Sequence, residues 1–252
     1  TFLGNYSDFS KSLLNNYKLK HLEVSELEFE NEHEDIIEKF THVVLDSYFI
    51  TQTYLDKVCI LDVKTIFIDD TCILDFSDVD LVINFRIGAE KMFSYKSKYE
   101  ALGEQYFIYK PEFKSLREKA TFNRRVKKVL LFFGGINLEK NFYVEIVNLI
   151  KEIDSNIGVF IISNKLELVM DNVVILKPTF KIENYLENID VIINGGGLLK
   201  YEGIFCKIPS VTFSNTELQY EDTVILESKN VVYNLGLIKN VFKNKGFLKK
   251  KL

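Results

Sequence analysis

Short apolar runs alternate with amphipathic stretches along most of the chain. Runs of about four to eight apolar residues bounded by turn formers read as buried strands, and stretches with a helical repeat read as helices. Apolar runs at 42–45, 65–68, 80–84 and 105–109 fill the first half, and runs at 129–133, 159–162, 173–176, 191–194, 210–213 and 231–233 the second. Helical patterns at 9–17, between 46 and 61, at 141–153, at 182–188 and after a loop at 215–219 separate them. Residues 1–41 are otherwise polar and mixed, with a short strand expected at 21–24 and loop then helix over 26–39. Alternation of this kind predicts an α/β fold with mainly parallel sheets.

Polar residues or glycines fall just after the strands, at Asp46, Asp69, Gly134, Ser163 and Gly195. In an open parallel sheet these carboxyl ends line the ligand crevice. The charged, weakly apolar stretch 114–128 reads as a linker, giving domains 1–118 and 119–252. The expected architecture is two Rossmann-like halves facing each other across an interdomain cleft, with a nucleotide on one half and its partner group on the other.

The strongest local signal is the run Val191-Ile192-Ile193-Asn194 followed by Gly195-Gly196-Gly197, a helical pattern, and Ile208-Pro209. Glycines at a strand-to-helix turn let the backbone approach a ligand, and the free N–H groups of the helix start suit an anion. Lys200 in the first turn opposes the helix dipole, so a phosphate nearby would account for it. Glu202, about a turn in, is placed to accept from a sugar hydroxyl. The competing reading is a glycine loop that only packs.

Composition narrows the field. The chain has 252 residues and a net charge of −4 with acidic and basic residues mixed, so no basic surface points to nucleic acid. Lys243, Lys245, Lys249, Lys250 and Lys251 form a tail that reads as solvated, with weak peripheral membrane contact as its alternative. No run is long enough to span a bilayer, and no signal-peptide pattern is seen. Cys59, Cys72 and Cys206 are widely spaced and fit reduced thiols of a cytoplasmic protein, not a zinc site. Asp78-Val79-Asp80 is spelled like a metal-binding pair but precedes a strand and reads as a loop, so no metal and no cofactor is expected. The chain opens at Thr1 without methionine and reads as a processed or trimmed piece.

Several segments, in order, resemble one family. Val43-Val44-Leu45-Asp46-Ser47-Tyr48 is similar to its "DSY/DHY" strand end, Ile68-Asp69-Asp70 to its "IDD", and Asp80-Leu81-Val82-Ile83-Asn84 to its "D-hydrophobic-N". The stretch 103–113, with Tyr106 and Pro111-Glu112-Phe113, resembles "LLGPxYxxLRPEF". Leu131-Phe132-Phe133-Gly134-Gly135 resembles "SFGG", and 194–209 its glycine turn, glutamate and "GxPS". The family is the UDP-sugar hydrolases of pseudaminic acid synthesis with the related spore-coat polysaccharide proteins, which look like the GT-B glycosyltransferase fold. The resemblance covers about 40–220.

The resemblance implies hydrolysis of UDP-2,4-diacetamido-2,4,6-trideoxy-β-L-altrose by water at the anomeric carbon, with inversion, and a UDP-sugar as the partner molecule. It implies a UDP site in the second half, with Gly134, Gly135, Gly195, Gly196 and Gly197 at the diphosphate, beside Asn194 and Lys200. Glu202 would hold the ribose, and Asn215 and Gln219 would face the sugar or phosphate. In the first half Asp46, Tyr48 and Asp69 are the catalytic candidates, with Asn84 near the sugar. Backbone dipoles would stabilise the leaving diphosphate without a metal. From the residues alone, Asp46 serves equally as a helix cap, and one of Asp69 and Asp70 as a loop cap, Asp70 being the expected one.

The chain departs from the family at several points. The G-x-G-H turn that opens family members is not seen, so the first domain is expected to lack its first strand and to leave strand edges unpaired. His21, His33 and His42 lie in no glycine turn, and His42 is expected to be structural. Lys110 stands where the family has arginine, and Ile136 where it has serine. Two other readings stand beside the hydrolase: a GT-B glycosyltransferase using a UDP-sugar, and a non-catalytic nucleotide-sugar-binding or partner subunit.

Overall fold

A computed structural model describes residues 1–24, 33–121, 125–136 and 138–241. The lysine tail and residues 26–32 of the expected loop-then-helix stretch 26–39 lie outside the described residues. The chain divides into two compact units, Thr1–Phe107 and Ile108–Leu252.

The first unit runs β1 (Phe2–Gly4), α1 (Asp8–Asn16), β2 (His21–Glu23), α2 (Glu34–Ile37), β3 (His42–Leu45), α3 (Gln52–Ile60), β4 (Lys64–Ile68), β5 (Leu81–Asn84), α4 (Ala89–Met92) and β6 (Tyr99–Leu102). Strands β3-β4-β5-β6 form a parallel sheet in chain order, and β1 and β2 pair in parallel as a separate two-stranded sheet. Ser7 and Thr51 cap α1 and α3 by accepting from Ser10 N and Tyr54 N. The core gathers Leu45, Phe67, Val82 and Leu102 from successive strands against Tyr54, Leu55 and Val58 of α3. Full burial of each such side chain contributes about 1.5–3 kcal/mol.

Two elements here were not legible as such. The segment 1–4 carries a short strand, β1. The last strand of the four is Tyr99-Glu100-Ala101-Leu102, while the apolar run expected at 105–109 becomes a single turn at Glu104–Tyr106 and irregular chain. Among the described residues β3 pairs only with β4, and Val44 on this edge is 57% exposed.

The second unit runs α5 (Phe113–Lys119), β7 (Lys128–Phe132), α6 (Lys140–Ile153), β8 (Gly158–Ile162), β9 (Val173–Leu176), α7 (Glu183–Leu186), β10 (Val191–Asn194), α8 (Leu198–Phe205), β11 (Ser210–Ser214), α9 (Glu217–Ser228), β12 (Tyr233–Leu237) and α10 (Ile238–Val241). Its six strands are parallel in the order β12-β11-β10-β7-β8-β9. Counted within the unit this is 6-5-4-1-2-3, the doubly wound dinucleotide-binding order. β7 is buried on both faces. Val129, Leu131 and Phe133 pack against Phe142, Ile146 and Ile150 of α6. Leu130 packs oppositely, with Phe113 of α5, Leu186 of α7 and Leu199 of α8. The stretch expected to be a linker therefore holds most of α5, whose first residue, Phe113, is part of this core. The units divide ahead of it, at Phe107 and Ile108.

Candidate functional site

The chain reverses its winding direction between β7 and β10, so the loops leaving these two strands part at the sheet's switch point. That point, beyond the carboxyl ends, is where an open α/β sheet takes a ligand. Gly134-Gly135 leaves β7, and Gly195-Gly196-Gly197 leaves β10. Gly134 has φ +71°, and a Cβ on Gly134 or Gly135 would meet nothing within 4 Å, so this backbone borders open space. Gly196 has φ +81°, with Gln219 Cβ 3.1 Å and the Ser214 Cα 3.3 Å from where its own Cβ would stand. Its amide donates to Asn194 Oδ1 at 2.9 Å, which fixes the turn. Gly197 opens α8, and no side chain caps that helix start. Gln219 Nε2 lies 4.0 Å from the Cβ position of Gly197, adding an amide donor beside it.

Two asparagines tie the loops together. Asn215 Nδ2 donates to the Phe133 carbonyl at 3.4 Å, and its backbone N–H donates to the Gly195 carbonyl at 3.2 Å and Gln219 Oε1 at 3.1 Å. Asn194, fully buried, accepts from Gly196 N and from Thr212 Oγ1 at 3.3 Å. Asn194 Nδ2 and Asn215 Oδ1 are buried without a partner among the described residues. Such orphans call for an occupant, either ligand or ordered water. Glu202, on the second turn of α8, is half-buried. Burial pushes its pKa up, Lys110 draws it down, and Glu183 pushes it up again.

Lys200 is a correction. The cation expected at the phosphate is 0% exposed and pairs with Asp222 of α9 at 3.6 Å, its ammonium 4.9 Å from the Tyr201 ring centroid. It lies on the buried side of α8 with Leu199, Tyr201 and Gly203, because a helix carries successive residues around its axis.

In the first unit, Asp46 and Tyr48 follow β3, Asp69 and Asp70 follow β4, and Asn84 ends β5. Asp69 is engaged by its own loop. Its Oδ2 accepts from Thr71 N (2.8 Å), Cys72 N (2.6 Å) and Tyr95 Oη (2.8 Å), and its Oδ1 from Thr71 Oγ1 (2.9 Å). Asn84, also buried, donates to Tyr95 Oη at 2.7 Å and accepts from Arg86 N at 3.0 Å. Both are therefore engaged by neighbouring groups of the first unit instead of offering free groups to a sugar. The expected order of the acid pair is reversed: Asp69 caps the loop, and Asp70 does not. Tyr48 Oη donates to Asp70 Oδ2 at 2.7 Å, while Asp70 Oδ1 has no partner among the described residues. Arg86 Nη1 donates to the Asp70 carbonyl at 2.8 Å. Partial burial and the Asp70 charge raise the Asp46 pKa, and burial with the Asp70 hydrogen bond raises that of Tyr48, which stays protonated. Sequence reasoning named neither Asp70 as the partner of Tyr48 nor Arg86. The "D-D" spelling carried a signal for the pair, and only the turn at 71–72 decides between them.

His42 is exposed at the amino end of β3 beside Thr41, away from these groups. Among the described residues no helix is long and apolar enough to cross a membrane.

Known proteins share this architecture. No protein-family model matches the chain. The uncharacterized protein MJ1062 of Methanocaldococcus jannaschii is 26% identical over 201 residues, 71% of this chain and 41% of that protein. The chain thus spans less than half the length of this relative. Arabidopsis thaliana UGT89C1 complexed with UDP-L-rhamnose aligns over 94% of this chain and 77% of its own, with TM-score 0.61 and 10% identity. The Streptomyces sp. SF2575 glycosyltransferase SsfS6, complexed with thymidine diphosphate, aligns over 92% of this chain and 79% of its own, at 0.57 and 14%. A putative UDP-N-acetylglucosamine 2-epimerase from Listeria monocytogenes aligns over 94% and 77%, at 0.56 and 10%. The chain has an α/β fold with parallel sheets like that of GT-B glycosyltransferases.

Proposed function

We propose that the protein is a UDP-sugar-using enzyme whose second unit binds the nucleotide. The observation that carries this is the pair of glycine turns at the switch point of a doubly wound sheet, one bordering open space and one opening an uncapped helix. Backbone N–H groups at Gly134, Gly135 and the start of α8, with Gln219 Nε2, suit a diphosphate. Glu202 suits the ribose hydroxyls, the orphan Asn194 Nδ2 suits a phosphate or sugar oxygen, and the orphan Asn215 Oδ1 suits a sugar hydroxyl. The Lys200 charge has no part in this, since it is neutralised within the fold. Asp46, Tyr48 and Asp70 are the first unit's candidates for contact with a sugar or a water.

The finer reading is a hydrolase that releases UDP from a 2,4-diacetamido-2,4,6-trideoxyhexose donor in surface-sugar synthesis, and it rests on the ordered motifs at 43–48, 68–70, 80–84 and 131–135. A glycosyltransferase is the second reading, supported by the glycosyltransferases among the solved structures named above. A cytoplasmic setting accords with the three free thiols, of which buried Cys206 has its pKa pushed up to about 11. Calorimetric titration with UDP tests the site: binding is expected, and Glu202→Ala is expected to weaken it about tenfold, the scale of one hydrogen bond to a charged group. Folded protein that ignores UDP would overturn the proposal. UDP release from donor sugars without an acceptor separates hydrolase from transferase, and binding without turnover under either condition marks a partner subunit.

A further inference from the structure

A cavity of about 470 Å³ opens at the amino end of the second unit's sheet, a strand's length from the glycine turns. It is bounded by the starts of β7 and β10, the turn into β11, and the ends of α5, α7 and α8. Small-molecule sites span about 300–1,000 Å³, so its size suits a ligand.

The wall of this cavity is apolar. Leu116 of α5, Ile189 ahead of β10 and Ile208 ahead of β11 line it half-buried, and Leu186 and Cys206, each 1% exposed, are its most deeply buried members. The rim is cationic, with Lys119, Lys127, Lys128 and Lys207 all exposed around it. Two carboxylates also line it, and both are engaged. Glu187 pairs with Lys119 at 3.5 Å, and Asp190 Oδ2 accepts from the backbone N–H groups of Lys127 and Lys128, both at 2.8 Å. The side chains of Lys127, Lys128 and Lys207 form no ion pair among the described residues. Lysine stems lie along apolar surface while their ammonium groups stay in water, and a cleft with low-dielectric walls and one sign of charge concentrates counter-ions.

We propose that this cavity is a further binding site, for an amphiphilic anion: an alkyl stem entering between Leu116, Leu186 and Ile208, with a phosphate or carboxylate head held by Lys127, Lys128 and Lys207. The wall accounts for the stem and the unpaired cations for the head. A free alkyl anion and the end of an anionic lipid share this chemistry. The inference is independent of the nucleotide site proposed above, whose glycine turns lie at the other end of the strands.

The test is calorimetric titration of octyl phosphate, hexyl phosphate, octanol and inorganic phosphate into the full chain, below micelle-forming concentrations. Octyl phosphate is expected to bind, and hexyl phosphate about tenfold more weakly, the effect of two buried methylenes. Octanol and inorganic phosphate, each carrying half of the recognised chemistry, should bind more weakly still. The triple variant Lys127→Gln, Lys128→Gln, Lys207→Gln should lose about tenfold in octyl phosphate affinity, the sum of three exposed charge contacts. Ala120→Trp, which places a bulky ring in the lining, should weaken octyl and hexyl phosphate alike. The triple variant changes only exposed positions, so it decides the matter if Ala120→Trp fails to fold. Octyl phosphate that does not bind, that binds no better than inorganic phosphate or octanol, or that binds the triple variant as tightly as the wild type overturns the inference. Where octyl phosphate binds as expected, sedimentation with phosphatidylcholine vesicles containing phosphatidic acid separates the sources. Co-sedimentation that the triple variant loses assigns the lipid, and its absence assigns the free anion.

Discussion

Asn215 lies directly over Gly195: a Cβ at Gly195 would come within 2.4 Å of the Asn215 Nδ2. The same amide reaches the Phe133 carbonyl, so the bare backbone of one turn lets an asparagine tie it to the other. Gly195→Ala is expected to displace Asn215, destabilising the fold by about 1–3 kcal/mol, the usual cost of overpacking. Most of that loss should vanish when Asn215→Ala is added, because the clashing group is gone. Denaturant midpoints for the two single variants and the double variant measure the coupling. Additive losses would mean that Gly195 is required for a reason other than the close approach.

Lys200 and Asp222 are a buried pair, joined by the Tyr201 hydroxyl, which donates to Asp222 Oδ2 at 3.0 Å. Removing one charge leaves the other uncompensated in the interior. Lys200→Met is expected to cost about 3–5 kcal/mol, and Lys200→Met with Asp222→Leu less than either single change. Equilibrium unfolding checks both values. UDP affinity of the folded Lys200→Met protein should stay near that of the wild type, whereas a lysine at the phosphate would make it fall sharply.

Much of the second unit was legible in the sequence because its strands are buried on both faces. Continuous runs such as Val129-Leu130-Leu131 and Val191-Ile192-Ile193 need no partner strand to be recognised. Tyr99-Glu100-Ala101-Leu102 escaped notice because its first two residues are exposed, and pairing with β5, not apolarity, makes it a strand. The glycine turns were legible for a local reason: few residues other than glycine serve at φ +81° or under a neighbouring amide. Lys200 was misjudged because helix-dipole reasoning sees the first turn but not the face, and the face is set by Asp222, 22 residues away. The same limit hid the division of labour between Asp69 and Asp70, which depends on Tyr95 arriving from beyond β5.

Asp69 and Asp70 should separate cleanly in experiment. Asp69 holds two backbone amides and two hydroxyls, so Asp69→Ala leaves several of these donors unpaired and is expected to cost about 2–4 kcal/mol. Asp70→Asn keeps the shape and an acceptor for the Tyr48 hydroxyl, for an expected cost under about 1 kcal/mol. Thermal melting of the two variants ranks them. An Asp70→Asn protein as unstable as Asp69→Ala would assign both carboxylates to the scaffold.

The raised pKa of Glu202 also fixes how its charge acts on stability. Burial makes the folded state prefer the protonated form, so the folded protein holds this proton to higher pH than the unfolded chain does. The associated stability is complete below the ordinary glutamate range and is lost as pH rises through the raised value. Glu202→Gln carries no such charge. Its melting temperature relative to the wild type should therefore increase from about pH 4 towards about pH 8, the interval that brackets a carboxyl shifted upward from its usual range. Lys110→Met should steepen the wild-type decline by removing the cation that offsets the burial, and Glu183→Gln should flatten it. A Glu202→Gln difference that does not change with pH would mean the carboxyl is solvated in the folded protein.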